Sequence, residues 1–480
     1  MNNMLKWLLS FLLISFFLMS VNGALTADEN EVHIIGSAPG FSGDELIFYT
    51  WTDQISFEEK ELFRISVDEN DSLYAVIEID NGPVYIFSHA GVYFIYMYVE
   101  PGMVYQIMLP EKADKSGWEK LNPYFEGIPT HIAVLNHGNT ELNALISDFD
   151  RLYEPLFGET LIELTVNRDR ELLDSIHSAF NQKFAFDGHY YFNAYRRYKM
   201  AFLDIMAQMK SARILSDNLF RSEPVLYDNV AYMELFNQVY NRYFLFFSRT
   251  SHGSRIFDDI NKSRSLSDLR FTLQTDPVLG EDRLLELVIL KGLHDAFYGS
   301  DFSRRGLLEV LDSLAFYTPY PEHARIAENI RDKVTKLVTG FEPPGFELPN
   351  RDGVVMSLSD FRGYYVYLNF CTSVSYGCLS EYRVLSNMKN NHGDYLKIVT
   401  VFIDESYESM LRFLDKNDYD WEFLYYGSHP SVLKEYDVRM FPTYYLIDRD
   451  GKLLLSPAPS PAENFESYLL RIMRSRRELR

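Results

Sequence analysis

The chain has 480 residues, which is too long for one ordinary hydrophobic core, so we expect two or three domains. A hydrophobic content of 47% with 15% aromatic residues is typical of a globular protein and argues against extensive disorder. The formal charge of -22 argues against nucleic acid as a partner, because phosphate binding requires basic patches. The same charge disfavours adhesion to anionic lipid.

The N-terminus has the pattern of an export signal. Lys6 supplies a positive charge, residues 7–19 form an apolar run interrupted only by serines, and Val21 and Gly23 suit a cleavage site. We therefore predict a signal peptide over residues 1–23. An uncleaved membrane anchor is the alternative, but the apolar run is shorter than the ~20 residues that a membrane span needs. The mature protein is expected in an oxidising envelope or exterior compartment.

Short β-rich runs separated by turn residues occupy the chain from about residue 30 to residue 112. Regular spacing of this kind predicts an antiparallel β-sandwich domain. The predicted strands cover residues 32–35, 46–50, 62–67, 73–79, 84–87, 92–99 and 104–109.

Residues 113–338 have the hydrophobic period of α-helices and are predicted to form a helical domain. Two stripes, within residues 191–205 and 232–243, are rich in tyrosine and phenylalanine. At helical spacing we expect these rings to pack in a core rather than to form a ligand cage. A further stripe, at positions i, i+3, i+4 and i+7, consists of Leu142, Leu145, Ile146 and Phe149.

A proline pair within residues 341–345 interrupts the helical pattern and starts a C-terminal domain over residues 341–480. The pattern there predicts a βαβ unit followed by a β-hairpin and a last helix, with parallel and antiparallel pairing in one sheet. The predicted strands are 365–370, 396–403, 444–447 and 452–455, and the predicted helices are 376–390, 406–416 and 462–474.

The only two cysteines, Cys371 and Cys378, lie at the end of the first of these strands and in the first turn of the helix that follows. Two cysteines in an exported chain of this length are not a disulfide scaffold, so they are either a local pair or separate thiols. The 11 histidines show no metal-type spacing, and no glycine loop suits a phosphate. We therefore expect neither a metal nor another cofactor.

This C-terminal domain resembles the thioredoxin-like domain of TlpA-type and AhpC/TSA-type (redoxin) proteins. The motifs PGFELP and LSDFRG match the lead-in of the family, and the tripeptide Phe441-Pro442-Thr443 matches its cis-proline loop. The resemblance implies a thioredoxin-like fold in which Phe441, Pro442 and Thr443 bind an extended peptide. The front and middle regions resemble the extra domains of TlpA-like proteins, which implies the periplasm or cell envelope of a Gram-negative bacterium.

The family motif is degenerate in this chain, because Ser375 stands at the position of the attacking cysteine and Cys378 at that of the second. A hydroxyl is hardly ionised near neutral pH and forms no disulfide, so ordinary dithiol exchange through this pair is excluded. We expect Ser375 to cap the helix, an interaction worth roughly 1 kcal/mol.

Three functions remain open. The first is a divergent thiol–disulfide oxidoreductase that uses Cys378, with Cys371 as a second thiol if the two Cα atoms lie within about 7 Å, and with a protein thiol or disulfide in the envelope as its partner. The second is a non-catalytic binding or scaffold module. The third is a peroxiredoxin-like peroxidase, since Ser375 precedes Cys378 by the spacing of that family, with Arg383 or Arg439 as the activating arginine.

Overall fold

The chain divides into two compact units, which we describe separately. The first comprises residues up to Asp114 and Gly127–Glu328, and the second comprises Lys115–Glu126 and the residues from Asn329 onward. The predicted signal peptide, residues 1–23, lies outside the described residues. No helix within the described ranges is both long and apolar enough to cross a membrane. The computed structural model describes residues 28–122, 124–185, 188–280, 282–428 and 431–478.

Two β-sheets form the N-terminal part of the first unit, and all the strands predicted there are present. The strands are β1 (Glu31–Ser37), β2 (Glu45–Trp51), β3 (Glu59–Ser66), β4 (Ser72–Glu78), β5 (Val84–Ala90), β6 (Tyr93–Val99), β7 (Val104–Met108), β8 (Ile128–His131) and β9 (Ala133–Val134). Their orders are β4-β1-β7-β9 and β3-β2-β5-β6-β8. Side chains of both sheets share one buried cluster, which includes Ile34 of β1, Phe48 of β2 and Ile95 of β6.

The sheets are mixed, so the prediction of purely antiparallel pairing is wrong. β1 pairs with β7 in parallel, and β6 pairs with β8 in parallel. The prediction assumed that neighbouring runs form hairpins, but the chain leaves β6 and crosses to the other sheet, where β7 runs alongside β1. The arrangement of these sheets as a sandwich, and a domain boundary near residue 112, stay predictions.

Helices make up the rest of the first unit. Tyr191, Tyr195 and Tyr198 on one helix are buried, as are Tyr232 and Phe236 on another, which confirms that the aromatic stripes belong to a core. Residues 115–126 of the second unit contain α1 (Gly117–Leu121). The following helices are α2 (Leu142–Tyr153), α3 (Glu159–Asn167), α4 (Arg170–Lys183), α5 (Tyr190–Met206), α6 (Ala212–Leu219), α7 (Val230–Val239), α8 (Tyr243–Phe247), α9 (Ile256–Asp258), α10 (Leu266–Leu273), α11 (Asp282–Phe297), α12 (Arg304–Tyr317) and α13 (Pro321–Thr335).

A five-stranded mixed sheet organises the second unit, which confirms the predicted α/β pattern. Its strands are β12 (Tyr365–Cys371), β13 (Leu396–Phe402), β14 (Glu422–Tyr425), β15 (Thr443–Ile447) and β16 (Leu453–Leu455), in the order β14-β13-β12-β15-β16. A short hairpin, β10 (Glu347–Pro349) and β11 (Val355–Ser357), precedes them. The helices are α14 (Tyr376–His392), α15 (Tyr407–Lys416), α16 (Ser431–Glu435) and α17 (Phe465–Ser475). The sequence pattern missed β14, a four-residue edge strand that follows a polar stretch.

The central strand β12 is buried along its whole length, and its alternation separates two cores. Val366, Leu368 and Phe370 enter one hydrophobic cluster. Tyr367 and Cys371 enter the other cluster, which also contains residues of α14. The alternation therefore places the Cys371 side chain on the side of the sheet that α14 covers.

A half-buried carboxyl group makes the stability of the first unit dependent on pH. Asp150 of α2 accepts hydrogen bonds from the Tyr195 hydroxyl on both oxygens, at 2.9 Å each. Burial raises the pKa of Asp150 from 3.8 to about 6. The folded state therefore binds the proton more tightly than the unfolded state, and folding loses free energy as the pH rises through this window.

We predict that Asp150→Asn stabilises the first unit by up to about 3 kcal/mol near pH 7, because an amide oxygen still accepts from Tyr195 and carries no charge. Urea unfolding of both proteins, measured below and above the pKa of Asp150, checks this. The control is Asp148→Asn. The hydrogen bond from Arg151 lowers the pKa of the Asp148 carboxyl, so removing this carboxyl should change the pH dependence of the free energy of unfolding in the opposite direction. If the free energy of unfolding of Asp150→Asn depended on pH in the same way as that of the wild type, the raised pKa of Asp150 would be contradicted.

Candidate functional site

The loop between β12 and α14 carries the candidate residues, and Asp404 holds it in place. Asp404 follows β13 and is buried. Its carboxylate accepts from the Thr372 hydroxyl at 2.8 Å, from the Ser373 N–H at 3.0 Å and from the Ser373 hydroxyl at 2.6 Å. These hydrogen bonds fix the loop over the carboxyl ends of the two central parallel strands.

Ser375 is the N-cap of α14 and also contacts the cis-proline loop. Its side chain accepts from the Cys378 N–H at 3.4 Å, and its hydroxyl lies 3.4 Å from the carbonyl oxygen of Phe441, to which it donates. The backbone of Ser375 is extended, as an N-cap requires. The predicted cap is thus present, and the hydroxyl in the place of the attacking thiol joins the helix to the opposite loop.

The Phe441–Pro442 peptide bond is cis, as predicted from the sequence. A Cβ atom built on Gly377 would lie 3.1 Å from Pro442 Cδ, so a glycine allows the start of α14 to approach this loop closely. The Thr443 hydroxyl donates to the Met440 carbonyl at 2.7 Å and closes the turn into β15. The structure therefore brings Phe441, Pro442 and Thr443 beside Ser375, and their role in peptide binding stays a prediction.

Cys371 and Cys378 are both free, fully buried and members of one cluster. A hydrogen bond from the Cys371 thiol lowers the pKa of Cys378, and hydrogen bonds from the Ser375 hydroxyl and the Thr372 N–H act in the same direction against the effect of burial. Burial raises the pKa of Cys371, and the neighbouring Cys378 raises it further. Cys378 is therefore the thiol that ionises first, and Cys371 is the partner that keeps its proton.

Glu381 and Tyr382 lie one turn beyond Cys378 on α14 and complete the buried side of the site. The Tyr444 hydroxyl donates to Glu381 Oε2 at 2.9 Å, and burial raises the pKa of Glu381. A negative charge on Glu381 raises the pKa of both thiols. The helical spacing from Cys378 could have singled out Tyr382 in the sequence, whereas Asp404 and Tyr444 come from distant strands and left no local signal.

The structure does not bring the two candidate arginines to Cys378. Arg383 is exposed on α14. Arg439 donates to Asp437 at 2.9 Å, and its guanidinium lies 5.3 Å from the centre of the Tyr124 ring. Within the part of the chain that the structure describes, neither arginine supplies a hydrogen bond that lowers the pKa of Cys378. In the same part, no three potential ligands lie together to hold a metal ion.

Large apolar side chains are exposed around Ser375. Val374 is 68% exposed, Tyr376 is 85% exposed and Met440 is 71% exposed. We call these three residues the apolar rim. Apolar side chains exposed together beside a functional loop are typical of a surface that binds another polypeptide.

We predict that Ser375→Ala destabilises the second unit by about 1 kcal/mol, because the first turn of α14 loses its cap. The same change should raise the pKa of Cys378, since one donor to its sulfur is lost. Chemical unfolding and the pH dependence of thiolate absorbance measure the two effects. Ser380→Ala is the matched control, because its exposed hydroxyl bonds only within α14, to the Gly377 carbonyl at 2.9 Å. If Ser375→Ala and Ser380→Ala had equal effects on the stability and on the pKa of Cys378, a special role for Ser375 would be refuted.

Comparison with known proteins places the second unit in a family. Residues 339–455 match the model of the AhpC/TSA family. The thiol–disulfide oxidoreductase ResA of Bacillus subtilis is 29% identical over 154 residues, which are 32% of this chain and 82% of that protein. The thioredoxin-like protein YneN of the same organism is 28% identical over 122 residues, which are 25% of this chain and 71% of that protein.

Solved structures also align with this chain over part of its length. A putative thiol:disulfide interchange protein DsbE from Chlorobium tepidum is 27% identical and covers 29% of this chain and 97% of its own, with a TM-score of 0.27. The exposed lipoprotein thioredoxin Etrx1 from Streptococcus pneumoniae is 26% identical and covers 26% of this chain and 99% of its own, with a TM-score of 0.24. The family match and the curated relatives therefore show that the C-terminal part of this chain is a thioredoxin-like domain that is similar to the AhpC/TSA family and to thiol–disulfide oxidoreductases.

Proposed function

We propose that this protein is a divergent thiol–disulfide oxidoreductase in which Cys378 attacks and Cys371 resolves, while Ser375 replaces the usual attacking cysteine. The observation that carries the proposal is that both thiols are fully buried in one cluster, at the end of β12 and in the first turn of α14, where Cys371 lowers the pKa of Cys378. The similarity to relatives that are thiol–disulfide oxidoreductases supports this class of reaction.

The reaction needs no cofactor. The Cys378 thiolate attacks one sulfur of a substrate disulfide, forms a mixed disulfide and releases the first substrate thiolate, which takes up a proton. Cys371 then gives up its proton and attacks the sulfur of Cys378, and the second substrate thiolate leaves and is protonated. The substrate disulfide is reduced to two thiols, and the protein is left with a Cys371–Cys378 disulfide.

Access to Cys378 requires a local opening, because its side chain is fully buried. The contact between α14 and the cis-proline loop includes the hydrogen bond from Ser375 to Phe441, which at 3.4 Å is long for an O–H···O bond. The other side of the loop is held by three shorter hydrogen bonds to Asp404. The opening that admits a substrate therefore occurs between Ser375 and Phe441.

We further propose that the protein works after export, in the periplasm or cell envelope of a Gram-negative bacterium, on a protein thiol or disulfide. The N-terminal pattern of residues 1–23 supports export, and substrate disulfides persist in oxidising compartments.

The test is to incubate the purified protein with a small peptide disulfide and to follow released thiols and the protein mass. The wild type should end with a Cys371–Cys378 disulfide and release two thiols per protein. Cys371→Ser should stop at a stable mixed disulfide on Cys378, because the resolving thiol is missing. Cys378→Ser should form no closed product.

Ser375→Cys is the positive control, since it restores the Cys-x-x-Cys pair with a thiol at the helix N-terminus. This variant should exchange rapidly whether or not the wild type does. A wild type whose thiols both stay free under conditions where Ser375→Cys reacts would refute the proposed function.

A second candidate function is a non-catalytic module that binds extended polypeptides. The observation in its favour is the contrast between two fully buried thiols and the exposed apolar rim around Ser375. In this function the cis-proline loop pairs with the backbone of the bound segment and the rim contacts its side chains.

We predict that Phe441→Asp weakens binding of an extended, apolar, cysteine-free peptide by about tenfold, because a charge is placed beside the pairing backbone. Fluorescence anisotropy with a labelled peptide measures the affinity. Val355→Asp on β11 is the control, since it places the same charge at a side chain that is 60% exposed. Unchanged affinity in Phe441→Asp would exclude binding at this loop.

A further inference from the structure

Tyr382 is a buried tyrosine whose ring is held by a cage of aromatic residues. Its side chain is fully buried on α14, four residues after Cys378. The neighbouring rings meet it edge to face, with centroids 5.0 to 6.0 Å away and interplanar angles of 67° to 83°. These neighbours are Phe413, Tyr419, Trp421 and Phe423. The cage fixes the direction in which the hydroxyl points.

The hydroxyl of Tyr382 makes no hydrogen bond to any of the residues that the structure describes. Buried hydroxyls without such a partner are rare, because desolvation is then uncompensated. Cys371 lies in the same buried cluster, and the Tyr382 hydroxyl favours the ionised form of that thiol by lowering its pKa. A rigid donor that makes no other hydrogen bond therefore lies in the cluster that contains the sulfur which must lose its proton.

We propose that Tyr382 is a positioning residue that holds the Cys371 sulfur against Cys378 and donates a hydrogen bond to it as it ionises in the resolving step. The inference rests on the proposed oxidoreductase function and names a residue that this reaction requires. No part of the aromatic cage has to move for the hydroxyl to act, so the donor is already in place when negative charge develops.

The surroundings of Cys371 show why such a donor is needed. Burial opposes a thiolate there, and so do negative charges on Cys378 and Glu381. The Tyr382 hydroxyl acts in the opposite direction and lowers the pKa of Cys371. Without it, Cys371 would have to ionise in an apolar cluster that offers its charge little compensation.

The alternative is that Tyr382 only fills the core. Tyr382→Phe separates the two roles, because phenylalanine keeps the ring in its cage and removes only the hydroxyl. A core-filling role predicts unchanged reaction rates in this variant. Tyr419→Phe is the matched control, since it removes a hydroxyl from the same aromatic cluster. Thermal unfolding of both variants shows whether the core is intact.

The first measurement separates the two steps of the reaction. Tyr382→Phe should form the mixed disulfide on Cys378 at the wild-type rate but close the Cys371–Cys378 disulfide at least about tenfold more slowly, because one donor to a developing charge is lost. Tyr419→Phe should match the wild type in both steps. Closure at the wild-type rate in Tyr382→Phe overturns the inference.

The second measurement does not depend on the proposed function. In the Cys378→Ser background, the rate at which methyl methanethiosulfonate modifies Cys371 reports how readily this thiol ionises. Adding Tyr382→Phe should lower that rate at least about tenfold, and adding Tyr419→Phe should leave it unchanged. Equal rates overturn the role of Tyr382. If the wild type never forms a mixed disulfide but Tyr382→Phe still slows the modification of Cys371, the proposed function is refuted. The role of the Tyr382 hydroxyl then still stands.

Discussion

The burial of Cys371 and Cys378 in one cluster is the constraint on which the proposed chemistry of the second unit depends. It exists because β12 alternates its side chains between two cores and ends with Cys371 on the side that α14 covers. The Asp404 carboxylate then fixes the loop that leads to the helix, and Ser375 starts the helix so that Cys378 lies in its first turn.

The parts of this site that follow local rules could be predicted from the sequence, and the parts that depend on distant strands could not. The cap at Ser375, the cis bond before Pro442 and the ends of β12 and α14 follow from short-range preferences and from the family motif. The partnership of Asp404 with the loop links residues about 30 positions apart in the chain, and nothing in the local pattern marks it. The same limit explains why the parallel pairing of β1 with β7 could not be predicted. The alternation of side chains along a strand does not encode which strand lies beside it.

Buried charged groups in the first unit are best explained as structural. Glu286 and His323 are both buried, and His323 Nδ1 lies 3.0 Å from Glu286 Oε1. The Tyr227 hydroxyl lies 2.7 Å from His323 Nε2, and Thr318 and Arg270 also bond to Glu286. Because the carboxylate is surrounded by donors, its pKa is lowered despite burial, and it lacks the raised pKa expected of a general acid. Such a network holds helices together, in the way that Asp150 and Tyr195 join α2 to α5.

In the proposed function, replacing the attacking cysteine by serine moves the reactive sulfur from the surface into the core, and this has a kinetic consequence. A thiol at position 375 would meet a substrate directly, whereas Cys378 reacts only from an opened state, so the observed rate is the intrinsic rate multiplied by the open fraction. In the closed state the single hydrogen of the Ser375 hydroxyl is donated to Phe441, and once that contact opens it is free to favour the Cys378 thiolate. The hydroxyl therefore slows entry in the closed state and activates the nucleophile in the opened state. A site of this kind favours substrates whose binding to the apolar rim and the cis-proline loop pulls that loop away from Ser375, because only such binding supplies the free energy of opening.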